Sequence, residues 1–367
     1  MKGMSRSKQA SRRAVGSVLV ACALGAAPGS LRAQSGPPSV PAVPAPDVYT
    51  VLAQNPGLAA SLPVYSEPQV TGKYSSLTVI GDSYGDWGNA LRFNPVSTQV
   101  GANGRYGNAL NITDALQYHY ALPTGAVANY AFGGASTGSA NNNPPELQLP
   151  GFAQQVRALV DSGRRFGSGD LITLTTAGVG GGNDTPLGIS VAQGTANVVG
   201  YMDTLVGLGG SEFILNVPSA SVEASLQTAL APFADQGVAI KYFNFGELAD
   251  AILANPTAYG FAPDATAVDY CTRLGGTHEC NEGGINKVRT QTTAEIFDQN
   301  RYLYFYAHPT TSLAAWIAQG DVRLLDAPAR AVPEPSSLGV LGLGLVGVAA
   351  IAFRGRRRPP SAPEPIG

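Results

Sequence analysis

Charge, histidine and cysteine are all scarce in this chain. Only 13% of its 367 residues are Asp, Glu, Lys or Arg, and it holds three histidines and three cysteines. So few imidazoles and thiols leave little material for a multi-ligand metal centre, and no cofactor is expected. Phosphate-cradling loops are missing too. No GxxxxGK[ST] or GxGxxG sequence follows a strand-like run, so nucleotide binding lacks its backbone nest. Nor is there a basic face for a nucleic acid. Ten of the 23 Lys and Arg fall in residues 1–33 or 354–358, and between Gln34 and Val332 there are 13 basic residues against 23 acidic ones, a body charge of −10. An acidic body with basic ends offers no clustered positive surface to a polyanion.

Of the cysteines, Cys22 lies in the amino-terminal leader, which leaves Cys271 and Cys280 flanking Gly275-Gly276. In an exported protein this pair most simply closes a small disulfide loop. A zinc site using the pair with His278 and Glu279 is the lesser alternative, because the spacing matches no recognised ligand set. What is abundant is apolar residue, at 44%, with 45 Gly and 27 Pro for loops. That is enough for one catalytic-sized domain plus tails, and the domain is assigned to residues 71–328.

The two ends differ in composition from that body. Residues 1–13 carry Lys2, Arg6, Lys8, Arg12 and Arg13 without an acid, and an apolar run from Val15 to Ala27 precedes Leu31-Arg32-Ala33. This reads as a signal peptide over residues 1–33, with cleavage after Ala33. Ser11-Arg12-Arg13 also matches a twin-arginine signal loosely, and Leu19-Val20-Ala21-Cys22 offers a lipoprotein alternative in which Cys22 is acylated. The Pro/Ala-rich stretch that follows is read as an extended linker and lead-in over residues 34–70. At the other end, Val332-Pro333-Glu334-Pro335 is followed by an apolar run from Ser336 to Phe353 and then by Arg354-Gly355-Arg356-Arg357-Arg358. The run is just long enough to span a bilayer, with the arginines on the cytoplasmic side. These three parts, over residues 332–358, resemble the PEP-CTERM sorting signal of Gram-negative bacteria. The resemblance implies export, transient anchoring in the inner membrane, an exosortase-type partner, and a periplasmic, outer-surface or extracellular destination. An ordinary membrane anchor shares the first half of that reading. Residues 359–367 are expected to be a disordered tail.

Within the body, short apolar runs at Leu77–Ile80, Leu171–Thr175, Glu212–Val217 and Val238–Phe245 read as strands. Helical periodicity at Phe152–Asp161, Ala192–Leu208, Val222–Ala234 and Glu247–Ala254 alternates with them. Alternation predicts crossovers and a mainly parallel, doubly wound sheet in a three-layer α/β/α sandwich of flavodoxin-like kind, with ligands at the carboxyl ends of the strands.

Four segments carry chemistry. Gly81-Asp82-Ser83 follows the first strand and can aim a hydroxyl into the crevice, although Ser83 or Asp86 could equally be an ordinary cap of the next helix. Asn129-Tyr130-Ala131-Phe132-Gly133-Gly134-Ala135 offers exposed backbone N–H groups, and Gly181-Gly182-Asn183-Asp184 ends in an amide; both suit a developing oxyanion. His308-Pro309-Thr310 precedes a helical pattern at Ser312–Gln319. In this order the segments resemble the blocks of the GDSL, or SGNH, family of esterases and lipases, over roughly Ser75 to Ala318. The resemblance implies Ser83 as nucleophile and His308 as general base. It also implies an oxyanion hole made of the Ser83 N–H, the Gly133 N–H with Gly134 as fallback, and the Asn183 side chain. Asn103-Gly104-Arg105-Tyr106 and Leu215-Asn216-Val217-Pro218 read as structural signposts of the same family. Asp82, Asp86 and Asp184 read as turn and cap residues, and His119 as a surface or packing residue.

One departure weakens the match. The family places an aspartate three residues before its histidine, and here that residue is Phe305. Without the carboxylate, the imidazole must be oriented by a backbone carbonyl, giving a Ser-His dyad, or by a substitute acid such as Asp298 or Glu295. The expected function is therefore hydrolysis of carboxylic esters outside the cytoplasm through an acyl-enzyme, on a lipid, a small ester or an acylated polysaccharide. Removal of O-acetyl groups from a polysaccharide is one alternative, and a non-catalytic surface or matrix protein that keeps the fold is the other.

Overall fold

A computed structural model describes residues 47–93, 104–176, 178–266, 293–305 and 308–328. The signal peptide, the Cys271–Cys280 pair, the apolar run 336–353 and the tail lie outside the described residues. Among the described residues no helix is long and apolar enough to cross a membrane. All of them belong to one compact unit, Ala42–Gly367.

Five parallel strands form the sheet: β1 (Ser76–Ile80), β2 (Val127–Asn129), β3 (Asp170–Thr175), β4 (Glu212–Val217) and β5 (Ala239–Asn244), in the order β2-β1-β3-β4-β5. Alternate residues of each strand feed different cores. Leu77, Val79, Leu171 and Ile214 point into one, while Ile80, Ile172, Leu174, Phe213, Leu215 and Val217 point into the other. Both faces are apolar because both are covered, which is why the strands read as continuous runs. The helices α6 (Phe152–Asp161), α7 (Val191–Gly207) and α8 (Ala220–Ala234) cover the second face. The first is covered by α5 (Ile112–His119), α9 (Phe245–Ala254) and a long terminal helix, α11 (Thr311–Asp326), with α10 (Thr293–Gln299) contributing Ile296. The expected three-layer, parallel, doubly wound sandwich is the fold of this chain.

The domain starts earlier than the sequence suggested. Residues placed in the lead-in before residue 71 form three short helices, α1 (Val48–Gln54), α2 (Pro56–Ser61) and α3 (Pro63–Ser66). Val48, Val51, Leu58, Val64 and Tyr65 from these helices, with Leu62 between α2 and α3, are buried in the first core. Each helix is too short to show a 3.6-residue period, and the prolines that start α2 and α3 imitate a linker.

The end of α11 is pinned. Asp326 takes Lys73 Nζ at 2.6 Å, His119 Nε2 at 3.1 Å and the Tyr120 hydroxyl at 3.2 Å, and Lys241 Nζ donates to the Leu324 carbonyl at 2.6 Å. His119 is thus a buried partner of Asp326 at the amino-terminal edge of the sheet, far in the fold from the strand ends that carry the candidate site.

Candidate functional site

In a sheet of this order the crevice opens between β1 and β3, where the connections leave in opposite directions. Ser83 sits there, 7% exposed, in the turn that follows β1. The turn is fixed from both sides. The Gln155 side chain of α6 accepts from the Gly81 N–H at 2.8 Å and donates to the Gly81 carbonyl at 2.7 Å, and the Asp82 N–H donates to Thr175 Oγ1 on β3 at 3.0 Å. Asp82 accepts from the Tyr84 N–H at 3.1 Å, and burial pushes its carboxyl up to about 7.

Asp86 ties this turn to the segment after β2. Its carboxylate accepts from the N–H groups of Gly88 at 2.8 Å, Asn89 at 2.5 Å, Ala90 at 3.1 Å and Gly133 at 2.7 Å. Burial raises the carboxyl to about 6, against these donors, which lower it. Asn89 adds bonds to the carbonyls of Asn129 and Ala131, at 3.0 and 2.9 Å, and Asn129 donates to the Gly85 carbonyl at 2.7 Å. The turn-and-cap reading of Asp82 and Asp86 describes these bonds. It also corrects one expectation: the Gly133 N–H is engaged by Asp86 and does not face the crevice as a free donor. Gly134, partly exposed with φ +77, is the position left to supply it.

The segment after β3 joins the same cluster. Asp184, buried, accepts from both the N–H and the hydroxyl of Thr137 at 2.8 Å, so it too is a structural cap, while Asn183 stays partly exposed beside Gly178. Asn142 reaches the Gly182 carbonyl at 3.3 Å.

His308 arrives from the opposite direction, in the two-residue strand β7 (His308–Pro309), which pairs antiparallel with β6 (Tyr304–Phe305). Thr310 caps α11 through the Leu313 N–H and donates to the Tyr302 carbonyl at 2.7 Å. Thr311 takes the Leu110 N–H on its hydroxyl and donates its own N–H to Asn108 Oδ1 at 2.7 Å. The His-Pro-Thr segment is therefore fastened to the residues just after Tyr106. Tyr106, expected only as a signpost, lies against the imidazole, with ring centroids 4.8 Å apart.

Phe305, where an acid was sought, is fully buried and is the register partner of His308. Glu295 and Asp298 are on the exposed side of α10, and Asp298 is paired with Arg301 at 3.6 Å with just over half of its side chain in solvent. The structure thus collects Ser83, Gly133, Gly134 and Asn183 at the ends of β1, β2 and β3, and links His308 to them through Tyr106. Tyr106 and Gln155 were the missed members. A lone aromatic or amide carries no periodicity, and only the fold brings them to the crevice.

Residues 331–358 match the PEP-CTERM protein-sorting motif, the recognition signal for an exosortase-type sorting enzyme, which marks the chain for export and sorting to the cell surface. No curated relative is detected. Chains of solved structures do match, among them protein YxiM from Bacillus subtilis, with a TM-score of 0.35 and 16% identity over 69% of this chain and 56% of that one. This chain therefore spans little more than half the length of that protein.

Proposed function

We propose that the chain is an exported serine ester hydrolase of the GDSL, or SGNH, kind. What supports this reading is a glycine-flanked serine after β1, two glycine-rich turns and an amide after β2 and β3, and a histidine whose ring packs on Tyr106, itself seated on Gly133. Ser83 attacks the ester carbonyl while His308 takes its proton. The Ser83 N–H, the Gly134 N–H and the Asn183 side chain hold the oxyanion, and the alcohol leaves with the proton returned by His308. Water then releases the acyl group by the same route. Asp82, Asp86 and Asp184 build the frame and take no part in the proton transfer. The body is expected to act outside the cytoplasm, held at the inner membrane by the carboxyl-terminal segment until the sorting enzyme acts.

A second reading, a surface or matrix protein that keeps the fold without catalysis, draws on the apolar Phe305 where a triad acid would stand. One experiment separates the two. The purified chain and its S83A variant are treated with a fluorophosphonate probe and with p-nitrophenyl acetate. Labelling and hydrolysis by the wild type alone support the esterase; equal behaviour of the two proteins sinks it.

A further inference from the structure

We propose that Tyr106 is a positioning residue that holds the plane of the His308 imidazole, a task a carboxylate performs in sites that place one behind the histidine. The inference rests on the reading of His308 as general base. Tyr106 is only 6% exposed, and its ring meets the imidazole at an interplanar angle of 43°. The ring itself has no room to move. A Cβ added at Gly133 would fall 2.1 to 2.3 Å from the Cζ, Cε2 and hydroxyl oxygen of Tyr106, so the phenol end lies on the bare Gly133 backbone. Its flank packs with Ala90 and Leu149 in a small cluster separate from both cores, bordered by Leu91, Phe132 and Leu147.

The backbone that carries Tyr106 is equally fixed. The preceding residue, Arg105, is fully buried and grips Asp114 of α5 with two bonds, at 3.0 and 2.7 Å, while the Trp87 indole donates to the same carboxylate at 2.6 Å. On the other side, a Cβ at Gly107 would lie 2.4 Å from the Pro309 carbonyl oxygen, so the chain beside Tyr106 is seated on the residue beside His308. Tyr106 is therefore a rigid wall between the glycine turn and the histidine. Packing against such a wall restricts an imidazole to one rotamer. The electron-rich ring face also favours the imidazolium formed when His308 takes the serine proton, though far less than a carboxylate does.

The test uses the purified full chain carrying isotope-labelled histidine, with the His308 signals assigned by H308Q and the His119 signals as an internal check on folding. Side-chain relaxation and the kinetics of p-nitrophenyl acetate hydrolysis are measured for the wild type, Y106F and Y106L. Loss of the ring in Y106L should lower the His308 side-chain order parameter into the flexible range, below about 0.6. It should also lower kcat by about tenfold or more with KM within about threefold, because alignment in the transition state is lost and not binding. Y106F should restore both. An unchanged His308 order parameter in Y106L overturns the inference, as does a loose His308 with wild-type kcat. If Y106L fails to fold, seen as a collapse of the His119 signals, Y106M carries the same comparison. A wild type without hydrolysis or probe labelling would instead refute the esterase reading, and the relaxation arm would still judge the contact.

Discussion

Replacing Asp86 by alanine removes the acceptor shared by the N–H groups of Gly88, Asn89, Ala90 and Gly133. An unmade bond of this kind costs about 1.5 kcal/mol, so four give on the order of 6 kcal/mol. Part of this is offset, because the buried carboxylate is itself held at a disadvantage. Burial lifts it from 3.8 to about 6 even with these four donors pulling it down, so the offset amounts to a few kcal/mol, on the order of 3. The net loss in D86A at pH 8 is then about 3 kcal/mol, read as a lower urea midpoint by circular dichroism. The pH dependence is the sharper test. Asp86 binds its proton more tightly in the folded state, so its contribution to stability is full below about pH 4 and is lost as the pH rises through about 6. D86A lacks that contribution, so the advantage of the wild type should widen by about 1 kcal/mol from pH 8 to pH 5. A variant within 1 kcal/mol of the wild type at pH 8, or a gap that narrows toward pH 5, would refute the reasoning.

Asp82 obeys the same sign with a larger shift, to about 7. Wild-type stability should fall between pH 5 and pH 8, and D82N should flatten that fall by about 2–3 kcal/mol, measured as the difference between the two denaturation profiles. In α11, helix propensity alone makes alanine better than Gly320 by about 1 kcal/mol. The methyl group would nevertheless lie 1.9 Å from Cε2 of Phe243, so G320A should destabilise by about 2 kcal/mol, and F243L added to it should recover most of the loss. A G320A protein that melts higher than the wild type would contradict this packing account.

The parts of this molecule that were legible in its sequence are those whose burial leaves a pattern. β1, β3 and β4 are buried on both faces and bounded by turn residues, so their runs stand out, and with the half-buried edge strand β5 their alternation with helices implies the parallel sheet. β2 has three half-buried residues at the edge and shows no such run. The candidate site was legible through its order of glycines, serine, amide and histidine. Its wiring was not, because a side chain such as Asp86 can serve the next turn or a loop 47 residues away, and only coordinates reveal that it does both. The same holds for His119, whose partner Asp326 is 207 residues on.

That last pairing marks where the body of the molecule ends. α11 starts beside the crevice and runs the depth of the domain, so its clamped end at Asp326 lies at the opposite pole from Ser83 and His308. The sorting motif at 331–358 begins five residues later, a leash of at most about 18 Å when fully drawn out. In the chain, the sorting motif therefore follows the end of the body that lies remote from Ser83 and His308.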